Sequence, residues 1–544
     1  MENLTAKDIV NGLEKARADR VVAENTWQDM VKFIDPINRD VQDKNEPGEK
    51  LPTDIYDDTA MHSNIILAAG LSGYMTNAAQ RWFELRPRNE GLMNDSGVAE
   101  FFSQSAEIMY SSLSNSNFYQ QIHEVYIALG SIGTGNLYEE DDAIDDIRFY
   151  AREPKEIYAI EDDRSVVNMV YRLFDLTAYQ AVEKFGYDKS SDAIKQAFDI
   201  KDYGKKFEYI HYVCPRHKRI VGKKDSNNLP FASYWVNKET TKMVSEGGYH
   251  EFPFFVPRFY KKSSEVYGYS PGYIVYSDIR MLNKMMETYI KGAEISIYPP
   301  WLAEMDSIIG TLDLRSASVN FQKQPLSQGQ AVQSMQPKTN FQVTLDFIDR
   351  ITGNIKAAYF TDLFLMLTQN ANMTATEVIQ RTQEKMLMLG PVLGRLQNEL
   401  LNPIIIRTFN ILLRRGKLPP VPESLQGQDF DVVYVSPLAK AQRAVQAQDM
   451  NTFLTIVGQM SALAPDVMDK IDTDIVVDKM SKIYSVDPEI INDDDEVDGI
   501  RQQRAEAQAM QQKMAMMEQL VNVGKTGSEM GRNYADAEAK RSQK

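Results

Sequence analysis

YGYSPGYIVYSDIRMLNKMMETYIKGAEISIYPPW, residues Tyr267 to Trp301, is the stretch from which the fold of this chain can be read. The turn signal Ser270-Pro271-Gly272 starts a helix at about Ile274, and Pro299-Pro300 stops it after Ile297. Val275, Ile279, Leu282, Met286, Tyr289 and Ala293 step by four and three, which makes one apolar stripe. Roughly opposite lies a fully charged stripe: Arg280, Lys284, Glu287, Lys291 and Glu294. A second helix is predicted from about Phe341 to Leu367. It sets Phe341, Leu345, Ile348, Ile355, Tyr359 and Leu363 against Asp346, Asp349, Arg350 and Lys356. At about 1.5 Å per residue the two helices reach about 36 and about 40 Å, so they match as a rod. A rod with an insert at its tip suits a wall or a strut better than an active site.

The joining segment, about 40 residues, is too long for a hairpin turn, and its apolar patches (Ile308-Ile309, Leu312, Leu314) predict a small packed module. After the second helix comes a polar loop, Thr368-Gln-Asn-Ala-Asn-Met373. Thr374 and Glu377 then form a capping box that opens a third helix running to Arg415. Pro391 and Pro403 keep that helix from being straight, since each removes a backbone donor and crowds the preceding turn.

Working outward, Thr5 to Asp35 reads as a helix, with Thr5 and Asp8 at its start and Ile9, Leu13, Ala16, Val21 and Trp27 on its apolar side. Further helices are predicted at Asp57–Ala79, Ser96–Leu113 and Tyr119–Ile132. From Gly135 to about Tyr260 the period changes to two. Strands are expected at Val166–Phe174, Phe207–Val213, Phe231–Val236 and Phe252–Tyr260, with short helices near Thr177–Phe185 and Ser190–Ile200. Beyond the Pro419-Pro420-Val421-Pro422 linker come a strand at Phe430–Val435 and a helical region from Ala439 to about Ser485. An acidic run, Asp493 to Asp498, then precedes a Met-rich last helix (Met510, Met514, Met516, Met517) suited to adaptable packing. The fold class is α+β, predominantly α-helical.

With 544 residues and 43% apolar content, the chain can bury several cores. A net charge of −16 argues against gripping nucleic acid over a wide surface, which needs a concentrated basic face. A single cysteine, Cys214, excludes an internal disulfide and fits a reducing compartment. The start, Met1-Glu-Asn-Leu-Thr, shows no secretory signal, and Ile404–Leu413 is too short and too interrupted to span a membrane. A soluble protein made inside the cell is expected.

No catalytic constellation emerges. Gly524-Lys525-Thr526 resembles the end of a phosphate loop, but Gln519 stands where the pattern needs glycine. Gly130-Ser-Ile-Gly133-Thr-Gly135 reads as a turn rather than a cofactor cradle. In His211-x-x-Cys214-x-x-His217 a strand would point Cys214 away from both histidines, so packed side chains outweigh a metal site. The acidic cluster Glu139 to Asp142 with Asp145-Asp146 reads as a solvated turn rather than a cation site. Arg216 to Arg219 with Lys223-Lys224 is the best local anion-attracting patch. A solvated hairpin there outweighs an intersubunit or DNA-facing surface.

The ordered words Tyr267-Gly-Tyr-Ser-Pro-Gly272, Ser277-Asp-Ile-Arg-Met-Leu-Asn-Lys284, Tyr298-Pro-Pro-Trp301, Leu312-Asp-Leu-Arg and Thr374-Ala-Thr-Glu-Val resemble the portal, or head-to-tail connector, proteins of short-tailed tailed bacteriophages. The specific words lie within residues 252–440, while length and element order match over most of the chain. The resemblance implies a ring of twelve subunits at one capsid vertex of the virion, assembled in the bacterial host cytoplasm, through which DNA is packaged and ejected. It implies a wing, stem, clip and crown. Residues 1–134 would be the helical part of the wing and 135–266 its α+β domain. The stem helices would be 267–298 and 341–367, with the clip at 299–340 between them. The tunnel loop would be 368–373, and 374–438 the long kinked wing helix with its following strand. The crown would be 439–492, and 493–544 a C-terminal helical extension with a loose tail.

Gln369, Asn370 and Asn372 would then face DNA, and the charged stripes at Arg280, Lys284, Glu287, Lys291, Glu294, Asp346, Asp349, Arg350 and Lys356 would give the stem its polar face. Their charges nearly cancel, so the stem should not clamp phosphate. The implied partners are further copies of the chain, capsid and scaffolding proteins, internal core proteins, the terminase large subunit, tail adaptor proteins, and double-stranded DNA bound weakly and without sequence preference. No membrane, cofactor or metal is implied. A non-channel virion protein, an internal core or scaffold component, is the alternative.

Overall fold

The computed structural model describes residues 4–38, 41–42, 52–92, 95–220, 222–223, 225–297, 301–303, 308–309, 321–323, 332–334, 341–369, 388–425, 428–435, 450–460, 471–484, 497–511, 513–514 and 535. The chain forms two compact units: Met1–Leu85, Gln104–Pro419 and Val432–Ala441 in the first, and Arg86–Ser103, Pro420–Asp431 and Gln442–Lys544 in the second. Helices and several antiparallel sheets are combined, as an α+β reading requires.

In the first unit, α1 (Ala6–Ile34) begins where expected. Asp8 N–H donates to Thr5 Oγ1 at 3.3 Å and Thr5 N–H donates to Asp8 Oδ2 at 3.0 Å, which closes a reciprocal cap. Ile9, Leu13, Trp27, Met30, Val31 and Ile34 are buried, but Val21 is exposed, a correction to the expected apolar side. Arg20 takes its place. Its guanidinium lies 3.7 Å from the Tyr158 ring centroid and donates to the carbonyls of Pro154, Lys155 and Ile157, which pins α1 to a loop more than 130 residues away. Three helices follow, α2 (Thr59–Met75), α3 (Ser96–Asn115) and α4 (Phe118–Ser131), with a strand β1 (Phe83–Pro87) between α2 and α3. The expected helix to Ala79 stops short, and β1 was not foreseen.

The α+β part contains two sheets. A hairpin of β2 (Leu137–Asp142) and β3 (Asp146–Ala151) carries β9 (Phe254–Phe255) on its other edge. Beside it, β4 (Ile157–Glu161), β5 (Val167–Thr177), β6 (Lys206–Pro215), β7 (Phe231–Asn237) and β8 (Lys242–Tyr249) form an antiparallel meander. Helices α5 (Ala178–Phe185) and α6 (Asp192–Asp199) interrupt it between β5 and β6. Alternation along β6 sends Ile210, Tyr212 and Cys214 toward α1, and Tyr209 and Val213 toward the other side, where the smaller sheet and the two short helices pack. The strand expected over Phe252–Tyr260 pairs regularly only at Phe254–Phe255 and continues as single bridges at Arg258 and Tyr260. Pro253 and Pro257 lack the donors a continuous ladder needs.

The central helices follow. A short α7 (Pro271–Ile274) and a turn at Val275 precede α8 (Tyr276–Ile297). The insert forms two antiparallel ladders: β10 (Trp301–Ala303) with β13 (Val332–Ser334), and β11 (Ile308–Ile309) with β12 (Phe321–Gln322). The return helix is not continuous. It is α9 (Phe341–Ala358), a break at Tyr359-Phe360, and α10 (Thr361–Gln369). Phe360 has φ 55, left-handed backbone that ends a helix. Residues 388–396 are helical, Gln397–Leu401 is a π-helical segment, and α11 (Asn402–Arg414) continues from it. Pro403 would clash with the carbonyl four residues back, and the widened turn before it relieves that clash, so the bend expected from the prolines appears as a π segment.

In the second unit, Arg88 pairs with Asp429 at 2.9 Å and Asp431 at 3.0 Å, and Phe102 packs on Phe430. The strand expected at Phe430–Val435 forms as β14 (Phe430–Tyr434). The helix α12 (Thr473–Tyr484) is tied to the helical residues 497–511 by a two-pronged Arg501–Asp474 pair, both prongs 2.7 Å. Met510 and Met514 are exposed there, while Met516, Met517 and Gly524 to Thr526 lie outside the described residues.

Candidate functional site

The paired helices rise from a root built by four distant segments. Ser270 caps α7, its Oγ accepting from Tyr273 N–H at 3.0 Å, and Pro271 supplies a first residue that needs no donor. Gly272 is required by crowding: a Cβ there would lie 2.4 Å from the Tyr359 hydroxyl and 2.5 Å from Ile34 Cδ1. Tyr359 is fully buried and donates to the Gly130 carbonyl at 3.2 Å. Tyr267 meets Trp27 edge-on at 5.1 Å, and its hydroxyl accepts from Ala159 N–H at 3.2 Å. The Tyr267–Gly272 word is therefore a packing code for the root.

Along the rod, Ile279 and Leu282 of α8 and Ile348, Ile351 and Ile355 of α9 are buried, while Val275, Met286, Tyr289 and Ala293 are half-buried. Ile351 extends the foreseen stripe. Leu345, expected inside it, is 38% exposed in this chain, and Phe341 falls among residues whose side chains are not described. Asn283 clamps an extended segment, donating to Asp54 O at 3.0 Å and accepting from Tyr56 N–H at 2.7 Å. Lys32 adds an ion pair to Asp54.

The charged stripe of α8 lies on the surface: Arg280, Lys284, Lys291 and Glu294 are exposed and Glu287 half-buried. Glu287 accepts from Lys284 at 2.8 Å and from Lys291 at 2.5 Å, and these two bonds hold its carboxyl down near a pKa of about 2. Both lysines are thus partly neutralised on their own helix. On α9, Asp346, Asp349, Arg350 and Lys356 are exposed, and Asn354 reaches Asp278 of α8 at 3.4 Å. Of the expected loop, Thr368 and Gln369 still belong to α10, so the helix runs further than the sequence implied. Asn370 and Asn372 lie outside the described residues, as does the capping pair Thr374 and Glu377.

Two buried ionic clusters brace the body that carries the rod, and sequence reasoning missed both. In the π segment, Glu399 receives a two-pronged bond from Arg258, Nε at 3.0 Å and Nη2 at 2.6 Å, plus Arg258 N–H at 3.0 Å. Glu161 bridges Arg258 to Lys261. In the β2–β3 hairpin Glu139 is fully buried, accepting from Thr408 Oγ1 at 2.9 Å with Arg407 Nε 3.7 Å away. Burial pushes its carboxyl up to about 8 against the opposing pull of Arg407 and Thr408. Arg415 and Lys417 bind Asp146, and Arg415 also binds Asp141. The acidic hairpin is therefore a clasp for the basic end of α11, a correction to the solvated turn expected there. An acid-rich turn near a basic helix end was the available signal.

The other candidates resolve structurally. His211 stacks on Trp235 at 3.9 Å and bonds Ser233 Oγ at 3.0 Å, on the sheet face opposite Cys214. Among the described residues no group of acidic, histidine or cysteine side chains is arranged to hold a metal. Gly133 adopts φ 85, and a Cβ there would meet the Tyr269 backbone at 2.2 Å, so the glycine run serves a close chain crossing. Arg216 is spent on Glu246 at 2.8 Å and the Gly247 carbonyl, and Lys224 is not described. No described helix is long and apolar enough to cross a membrane.

The family model for bacteriophage head to tail connecting proteins matches residues 6–491. A protein of Bordetella phage BPP-1 described as a probable portal protein is 31% identical over 531 residues, covering 95% of this chain and 94% of its own. The portal protein of Salmonella phage epsilon15 is 30% identical over 536 residues, covering 96% and 95%. A root, a two-helix rod with a tip insert and a braced α+β body accompany that match along nearly the whole chain, and the chain belongs to the bacteriophage head to tail connecting protein family.

Proposed function

We propose that the chain is one subunit of a ring at a capsid vertex of the virion, with α8 and α9 as its stem and the region after α10 facing the DNA path. The ring has twelve members on the family's pattern, and the ladders of β10–β13 and β11–β12 form the clip that meets the terminase large subunit and later tail adaptor proteins. Residues 1–134 and 135–266 make the wing, with 374–438 running through it, and 439–492 and 493–544 make the crown and its extension. Capsid, scaffolding and internal core proteins meet the outer parts of the ring during assembly in the host cytoplasm. The observation that carries the reading is the self-neutralised stem: Glu287 sits between Lys284 and Lys291, so the exposed stripe offers little free positive charge to phosphate. A conduit needs that property, because strong counterion-releasing contacts would stall a moving duplex.

The test is direct. Negative-stain images of purified chain should show rings with a central hole, and filter binding to duplex DNA should be weak, salt-sensitive and indifferent to sequence. Monomers or filaments at every concentration, or tight sequence-specific binding at physiological salt, would refute the proposal. Deleting Gln369–Asn372 should leave rings intact and impair DNA packaging or retention. Loss of assembly in that variant would reassign the segment to subunit packing.

A further inference from the structure

Three cations gather where the two sheets of the wing body meet, and the stem and root make no use of them. Arg172 of β5 lies directly across from His211 of β6, which lies across from Trp235 of β7, so the three occupy one row on one sheet face. Arg172 is 8% exposed, lies 3.7 Å from the Phe174 ring centroid, and bonds Glu156 through Nε at 2.8 Å. Lys184 of α5 stands 4.1 Å from the Trp235 ring centroid and is exposed. Arg152, just past β3, lies 4.3 Å from the Tyr150 ring centroid and is half-buried.

Among the described residues neither the Arg152 guanidinium nor the Lys184 ammonium makes a hydrogen bond or ion pair, and the buried Arg152 Nε has no acceptor. Folded chains pair such donors as a rule, since a buried donor without an acceptor costs about 1–3 kcal/mol. Arg172 also disfavours the charge on Arg152 and on Lys184. Burial and Arg172 bring Arg152 down to about 10, and partial loss of water around its ammonium lowers Lys184, with Glu140 opposing and Arg172 and Arg152 adding to the shift. Glu156 and Glu140 are the nearby carboxylates, and Glu156 is engaged by Arg172. His211 is buried and held neutral.

We infer that Arg152, Arg172 and Lys184 form a receptor for a carboxylate-bearing side chain of a second copy of this chain. The inference rests on the ring reading. A ring brings two different faces of one chain together at every interface, so an unpaired group on one face has a fixed counterpart on the next copy. With 76 acidic against 60 basic residues, the chain as a whole offers more carboxylates than cations to such a pairing. A guanidinium fork is shaped for a two-pronged oxyanion. A broad, convex duplex would meet the exposed Lys184 but not Arg172.

The experiment uses full-length chain, measuring ring formation by sedimentation velocity across protein and salt concentration. Lys184→Glu, at an exposed position that leaves the fold intact, and Arg152→Gln should each raise the concentration for half-assembly about tenfold. Arg152→Lys should restore part of the loss by returning the charge without the fork. Thermal melting of Lys184→Glu should match the unaltered chain. Rings from Lys184→Glu and Arg152→Gln at the unaltered chain's concentration would overturn the inference alone. So would unchanged rings with lost duplex retention, which would assign the cluster to phosphate. An unaltered chain that never forms rings overturns the ring reading and the inference with it.

Discussion

The Tyr359 hydroxyl donates to the carbonyl of Gly130, 229 positions earlier in the chain, at 3.2 Å. That bond fastens the end of α9 to the end of α4 inside a core where Tyr359 is completely covered. The helix pair is thus anchored by a residue that interrupts one of its own helices.

Replacing this anchor separates packing from hydrogen bonding. Tyr359→Phe should cost about 1 kcal/mol, and Tyr359→Ala about 3–5 kcal/mol through the cavity it leaves. Urea denaturation followed by tryptophan fluorescence measures both. Equal losses in the two variants would show that packing around the ring contributes little.

Phe360 tests the break itself. At φ 55 a β-branched residue is disfavoured and asparagine tolerated. Phe360→Val should be less stable than Phe360→Asn by about 1 kcal/mol, despite being the more apolar substitution. The reverse order in denaturation midpoints would argue that ring packing, not backbone shape, governs this position.

The π segment should be the costliest place to remove one charge. Arg258 is 3% exposed in its side chain and holds Glu399 with two prongs, so Glu399→Gln leaves a buried cation short of its partner. A loss of about 3 kcal/mol is expected, read from thermal or urea unfolding. A change below that of an exposed pair, such as Arg88→Gln at the Asp429 contact, would contradict the assignment.

Glu139 predicts a pH dependence. Its folded pKa, about 8, lies above the ordinary 4.5, so the folded chain binds this proton more tightly than the unfolded chain. The associated stability is present at low pH and is lost as pH rises from the ordinary value toward about 8. Glu139→Gln removes that slope. Relative to the unaltered chain, it should gain about 2 kcal/mol between about pH 5.5 and about pH 7.5. Urea midpoints at the two pH values check the sign, and parallel behaviour of the two proteins would mean Arg407 keeps the carboxylate ionised throughout.

Features that depend on neighbours in sequence were legible. The Thr5–Asp8 cap, the period-two strands and the alternation that separates His211 from Cys214 all follow from local pattern. Features that depend on distant partners were not. Tyr359 sat in register on a helical stripe, and nothing nearby announced that it would leave the helix for Gly130. Nothing in the local pattern singled out Arg20, because its acceptors are backbone carbonyls beyond position 150. Glu139 looked solvated because acidic runs usually are, and its partners come from Arg407 and Thr408. At the stem, the charged stripe was readable from spacing alone. The Tyr267–Gly272 word was recognisable by resemblance, but its physical reason appears only when Ile34, Gly130 and Tyr359 converge on it.

The insert and the root differ in how freely parts could be exchanged among relatives. Trp301 pairs with Ser334 across β10 and β13, so the insert leaves and returns through one antiparallel ladder. A homologous tip could be transplanted there by matching two strands. The root has no such seam: a foreign α8–α9 pair would also need compatible residues at 34, 130 and 272. Lineages trading segments should therefore vary at the tip and inherit the root together with the N-terminal helices.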